Sequence, residues 1–273
     1  MQLSDTLILA LLQGVTEFFP ISSSGHLVLI QHMLGLKDVP ILYDLILHLG
    51  TTVAVILVYY RSIGEILRDF LRWMIKGKVE RKETYESGNV KLLLYILISV
   101  AVTGIMGTLF KDMLSSFFYR PRFALLFLAV TGVILLMTVF IKGGEKDIKT
   151  VSVPFPLIIG AAQAFAILPG ISRSGATIAT GLFLGTQRAF AALFSFLLAI
   201  PSVFGASLFE FITIHDHAGM GMNHGILITA FMVSLIAGFF SLKLLIRFVM
   251  GGKIYLFSFY CFAVSIAGAF ILQ

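Results

Sequence analysis

The chain has 273 residues, of which 58% are hydrophobic and 12% charged, whereas an ordinary soluble domain is about a quarter charged. With a mean hydropathy of +0.99 it is not a soluble protein, and it lacks the alternating segments of about ten residues that a membrane β-barrel needs. The net charge of +6 sits mostly in loops between apolar runs, so it reports topology rather than a nucleic-acid partner.

In chain order, Met1 to Ala10 carries no basic segment and no cleavage signal follows it, so this stretch reads as mature protein. An apolar run over about 3–19 breaks at Phe19-Pro20-Ile21-Ser22-Ser23-Ser24-Gly25 and resumes as a shorter one. Crossings of about 20 residues each are expected at 42–60, 91–110 and 122–141. A second interrupted run, 153–168, breaks at Pro169-Gly170-Ile171-Ser172-Arg173-Ser174-Gly175. Three more crossings follow at 189–212, 225–246 and 254–272. The single cysteine, Cys261, lies in an apolar run and is assigned to packing. Polar backbone at membrane depth is tolerated only inside protein or beside a wet cavity, so the two interrupted runs read as re-entrant helix hairpins.

The two turns match at an offset of 150 residues. Gln13 aligns with Gln163, Ile21 with Ile171, Ser22 with Ser172, Ser24 with Ser174 and Gly25 with Gly175, five identities in 13 ungapped positions. Each unit is then one hairpin plus three crossings. An odd number of crossings inverts the second unit relative to the first, and broken helices meet near the midplane in such a plan. The expected fold is thus an all-α polytopic membrane protein, one integral domain over 1–273. It comprises six transmembrane helices and two re-entrant hairpins, with repeat one at about 1–145 and repeat two at about 150–273.

The basic residues set the orientation. Eight of them lie between Arg61 and Lys91, which puts that loop in the cytoplasm. Alternation then places fifteen Lys and Arg inside and four outside (Lys37, Lys111, Arg120, Arg122), with Arg173 left in a turn. The first hairpin opens outward and the second toward the cytoplasm.

Ionisable side chains within membrane segments cost about 2.5–3.5 kcal/mol each on insertion scales and mark function by default. Glu17 and Arg173 are the clearest cases. Glu17 follows Gln13 by one helical turn, and Arg173 reaches the same cavity if the hairpin tips meet. A salt bridge locking the hairpins is the plain alternative, but it leaves unexplained seven further polar side chains: Ser22, Ser23, Ser24, His26, Ser172, Ser174 and Thr177. Small Gly and Ser residues at helix N-termini let backbone N–H groups converge on an anion, and an arginine fork matches phosphate oxygens. Together these describe a phosphate cradle.

The run Gln13-Gly-Val-Thr-Glu17-Phe-Phe-Pro-Ile-Ser-Ser-Ser-Gly-His26 resembles the (E/Q)xxxE region and Ser-Gly-His turn of the bacterial undecaprenyl-diphosphate phosphatases, the bacitracin-resistance or BacA-type family. Pro169-Gly-Ile-Ser-Arg-Ser-Gly-Ala-Thr177 resembles the PGxSRSxxT motif of that family. The resemblance implies hydrolysis of undecaprenyl diphosphate to the monophosphate at the outer face of the bacterial inner membrane. That reaction recycles the lipid carrier for peptidoglycan synthesis and confers bacitracin resistance. It also implies a divalent cation, Mg2+ or Ca2+, as cofactor.

Carried over by position, Glu17 and Gln13 form the metal and acid–base side, Arg173 the diphosphate clamp, and Ser23 with His26 the nucleophile region. Ser22, Ser24, Gly25, Gly170, Ser172, Ser174, Gly175 and Thr177 are the substrate-binding set. Gln13 is neutral and cannot act as a base, so the essential carboxylate is Glu17. Two routes stay open: attack by Ser23 with His26 as base, or direct attack by His26. The partners expected are the lipid substrate, membrane lipids and, among proteins, a second copy of the chain. The rival function is a prenyl-phosphate flippase or transporter, since inverted repeats are also the plan of alternating-access carriers.

Asp44 and His48, one turn apart at the start of the first crossing, are candidates to support the first hairpin or its metal. His215, Asp216, His217 and His224 read as a solvated outer turn.

Overall fold

The computed structural model describes residues 3–36, 39, 41–75, 77–110, 117, 121–213 and 224–271. Helix α1 (Leu3–Phe18) is followed by α2 (Ser23–Met33), α3 (Ile41–Ile75), α4 (Lys78–Glu86), α5 (Asn89–Leu109) and α6 (Pro121–Met137). The second half runs α7 (Pro154–Phe165), α8 (Arg173–Phe183), α9 (Arg188–Thr213), α10 (His224–Met250) and α11 (Leu256–Ile271). Among the described residues there is no strand.

Among the described residues five helices are long and apolar enough to cross a membrane: Leu42–Ile75, Asn89–Leu109, Pro121–Phe140, Arg188–Ala206 and His224–Met250. The stretch expected as a sixth crossing, 254–272, forms the 16-residue α11. At 1.5 Å per residue that is about 24 Å, short of a hydrocarbon core of about 30 Å; the Gly251-Gly252 turn delays its start.

The stretch from Arg61 to Lys91, expected as a cytoplasmic loop, is largely helical. α3 loses helical geometry at Tyr59 (φ −107°, ψ 18°), where the apolar crossing ends, and continues to Ile75 before α4 follows. Arg, Leu, Glu and Lys are strong helix formers, and Ile63 and Ile66 pack beside Leu92 and Tyr95 of α5. Asn89 Nδ2 donates to Asp69 Oδ2 at 2.7 Å, tying the extension to the next crossing.

Both interrupted runs fold as helix, turn, helix. Pro20 offers no N–H to continue α1, and Gly170 (φ +103°) takes a left-handed conformation that a side chain resists. The helices that follow start alike. Ser22 Oγ accepts from Gly25 N at 3.3 Å to cap α2, and Ser172 Oγ accepts from Gly175 N at 3.1 Å to cap α8.

The first helix of each hairpin lies against a crossing from the other half of the chain. α1 packs on α10, where a Cβ on Gly14 would lie 2.6 Å from Ala237 Cβ. α7 packs on α5, where one on Gly160 would lie 2.7 Å from Ser99 O; Ser99 Oγ donates to Pro156 O at 2.8 Å. Small residues allow this approach where hydrophobic driving force between helices is weak. Around the turns Phe18, Leu128, Ile178, Phe196, Leu242 and Cys261 form a buried core, and Cys261 is a free, fully buried thiol, in keeping with a packing role.

Candidate active site

The two turns meet tip to tip. Ser22 Oγ accepts from Gly170 N at 3.1 Å, and Ser174 Oγ donates to Phe18 O at 2.8 Å. A Cβ on Gly25 would stand 3.0 Å from Gly170 Cα, and one on Gly175 would stand 3.1 Å from Pro20 Cβ. Gly25 and Gly175 are one pair at the 150-residue offset and Pro20 and Gly170 are another, so the contact is reciprocal. A helix from each half steadies these tips. Thr131 Oγ1 on α6 donates to Gly170 O at 2.9 Å and accepts from Ser172 N at 3.0 Å. The Cys261 thiol on α11 lies 3.7 Å from Pro20 O.

This junction closes over Glu17 in the last turn of α1. Its Oε2 accepts from Ser23 Oγ at 2.7 Å and from Gln13 Nε2 at 2.9 Å. Its Oε1 pairs with Arg173 Nη2, and His48 Nδ1 lies 3.7 Å from Oε2. The Glu17 side chain is 6% exposed and that of Arg173 20%. A charge so enclosed is tolerable because each oxygen has partners; deleting one member of a buried pair typically costs about 3–5 kcal/mol. Beside the pair, Thr51, Thr52, Ile200 and Val203 line the same recess as Glu17 and Arg173.

Of the residues singled out in the sequence, Gln13, Glu17, Ser23 and Arg173 come together in one bonded cluster. His26 stands apart from Ser23. Its Nδ1–H donates to Ser22 O at 2.8 Å, its Nε2 accepts from Tyr260 OH at 2.9 Å, and the two rings stack at 5.6 Å.

The remaining hydroxyls are engaged within the protein. Ser172 Oγ lies 3.2 Å from Ser174 Oγ, and Ser24 Oγ lies 3.4 Å from Ser22 Oγ. Thr177 Oγ1 donates to Arg173 O at 2.8 Å and stands 2.6 Å from Ser195 Oγ. Thr131, Ser195 and Tyr260 were not legible as site neighbours, since each sits inside an apolar run with no local signal. His48 had one, its one-turn spacing from Asp44. His215, Asp216 and His217 lie outside the described residues.

The cluster suits a hard divalent cation in donor chemistry. The Glu17 carboxylate is a ligand of the kind such ions take, while Gln13 Oε1, buried with no hydrogen-bond partner, lies on the other side of an amide whose nitrogen faces Glu17. No group of three or more His, Cys, Asp or Glu gathers among the described residues. A cation here would therefore complete its shell from phosphate oxygens and water, as Mg2+ commonly does.

Fold and site together define a class: an all-helical, multi-pass membrane protein whose buried acid, hydroxyl and guanidinium are supplied by two broken helices packed tip to tip. Residues 6–267 match the family described as bacitracin resistance protein BacA, and the chain belongs to that family. It is 37% identical over 266 residues to an undecaprenyl-diphosphatase of Methanosphaera stadtmanae, covering 96% of this chain and 95% of the relative. It is 38% identical over 258 residues to one of Desulfosudis oleivorans, covering 93% of each. Undecaprenyl-diphosphatase 1 of Shouchella clausii is 35% identical over 277 residues, covering 100% of this chain and 97% of that protein.

Proposed function

We propose that this protein hydrolyses undecaprenyl diphosphate to undecaprenyl phosphate and inorganic phosphate. The observation that carries the chemistry is the 2.7 Å hydrogen bond from Ser23 Oγ to Glu17, with Arg173 on the other carboxylate oxygen. Glu17 takes the Ser23 proton as Oγ attacks the terminal phosphorus, and the bond from that phosphorus to the bridging oxygen breaks. Undecaprenyl phosphate leaves as an anion that needs no proton. Water then attacks the phosphoserine, releasing phosphate and returning the serine hydroxyl.

Arg173 spends one of its five donors on Glu17 and keeps others for phosphate oxygens. Ser23 is favoured over His26 as nucleophile because both ring nitrogens of His26 are already engaged. A divalent cation, held by Glu17 when bound, would neutralise charge on the transferring phosphoryl group; Gln13, expected as its second ligand, instead turns its amide nitrogen to that carboxylate.

The architecture we infer is the inverted repeat: six crossings, the sixth being the short α11 with the bilayer thinned around it, and two re-entrant hairpins, with one unit over about 1–145 and the other over about 150–273. The reciprocal contact of the turns supports it. The charge count supports a site that opens at the outer face of the bacterial inner membrane. A transporter reading has no comparable support, since the three relatives above are all named as diphosphatases.

The deciding experiment is phosphate release from a long-chain prenyl diphosphate by purified protein in detergent. Stoichiometric phosphate and prenyl monophosphate are expected. Tight binding of the lipid without any release would overturn the hydrolase reading.

A further inference from the structure

Gln13 is fully buried, one turn before Glu17, and its amide nitrogen meets two acceptors: Glu17 Oε2 at 2.9 Å and His48 Nδ1 at 2.9 Å. An amide nitrogen only donates, so His48 receives at Nδ1 and carries its own proton on Nε2. With both hydrogens placed, the amide has one orientation: nitrogen toward Glu17 and His48, oxygen on the far side, where it is buried without a partner. Were the amide reversed, its oxygen would face the Glu17 carboxylate, acceptor against acceptor. The second hairpin uses the same device without chemistry. Gln163 Nε2 donates to Thr103 Oγ1 at 3.0 Å and to Ser202 Oγ at 2.9 Å, and the counterpart of Glu17 there is Ile167, which needs no donor.

We infer that His48 is a positioning residue for the hydrolytic site: by accepting one N–H of Gln13 it locks that amide as a donor to Glu17 and so fixes the carboxylate that holds Ser23. The inference rests on the hydrolase reading for its kinetic arm only. His48 reaches over from α3, with a ring 34% exposed. The first crossing thereby sets the geometry of a carboxylate on the first hairpin.

The test is a double-mutant cycle on phosphate release, with histidine nitrogen NMR as an arm that needs no turnover. His48→Ala is expected to lower kcat about tenfold, the lower end of what outer-shell partners contribute, with KM for the prenyl diphosphate little changed. His48→Asn, whose Oδ1 falls near the position of Nδ1, is expected to recover most of that loss. In a Gln13→Ala background the His48→Ala change is expected to cost almost nothing further, because its effect passes through the amide. In 15N-histidine-labelled protein His48 should show an unprotonated, hydrogen-bonded Nδ1 whose resonance shifts in Gln13→Ala.

Additive losses in the cycle, wild-type rates for His48→Ala, or a His48 resonance unmoved by Gln13→Ala would each overturn the assignment. Wild-type protein that releases no phosphate would instead defeat the hydrolase reading, with the nitrogen resonance still deciding whether His48 holds Gln13.

Discussion

At the residue scale the chemistry concentrates on Glu17, which gathers a hydroxyl, an amide and a guanidinium on two oxygens. Glu17→Gln leaves a side chain of the same size that cannot take the Ser23 proton. Phosphate release is expected to fall by at least about a hundredfold, within the range general-base removal produces, while the protein still inserts and folds. Near-normal turnover by that variant would remove Glu17 from the mechanism. Arg173→Lys separates a phosphate clamp from a structural bridge, because a lysine can pair with Glu17 but presents a point charge instead of a planar fork. As a clamp, its loss at saturating substrate is expected to be on the order of a hundredfold, about 2.7 kcal/mol of transition-state stabilisation, with the melting temperature in detergent hardly moved. Lower thermal stability with an unchanged rate per folded molecule would mark the pair as a bridge only.

Among the elements, the contact between the first helix of each hairpin and a crossing of the other half depends on absent side chains. At Gly160 on α7 a Cβ would stand 2.7 Å from the backbone oxygen of Ser99, and backbone gives way less readily than a flexible side chain. Gly160→Ala is therefore expected to destabilise by about 1–3 kcal/mol, the usual cost of overpacking. Gly104→Ala on α5, where nothing lies within 4 Å, is the control and is expected to be neutral or slightly stabilising through better helix propensity. Equal melting temperatures for the two variants would show that α5 and α7 are not held at that distance. The helical stretch beyond Tyr59 illustrates a limit of sequence reading. Its charge marks it as outside the apolar crossing, but charge does not separate a loop from a helix that carries its apolar residues on one side.

For the whole molecule, two turns that match at an offset of 150 residues produce one cluster, because their counterparts differ where chemistry is needed. Ser23 corresponds to Arg173, and Glu17 to Ile167, so the carboxylate comes from one half while a hydroxyl and a guanidinium reach it from equivalent positions of both. The sidedness that follows is testable by labelling in a Cys261→Ala background. A cysteine at Ser87, exposed beyond α4, is expected to react with impermeant maleimide only from the cytoplasm, and one at His224, at the start of α10, only from outside. The opposite pattern would invert the protein and turn the first hairpin toward the cytoplasm.

The sequence by itself determined the membrane class, the helical backbone, the two broken helices and the placing of Gln13, Glu17, Ser23 and Arg173 at their turns. These follow from composition, from the backbone's need for internal hydrogen bonds in lipid, and from motifs carried on short local stretches. It left undecided which groups touch. Ser23 and His26 are three residues apart and look like a pair, yet Ser23 turns to Glu17 while His26 is held by Ser22 O and by Tyr260, 234 residues away. His48, likewise, is tied to Gln13 across 35 residues. Such choices are made by helix packing, which sets distances between side chains that spacing along the chain does not encode.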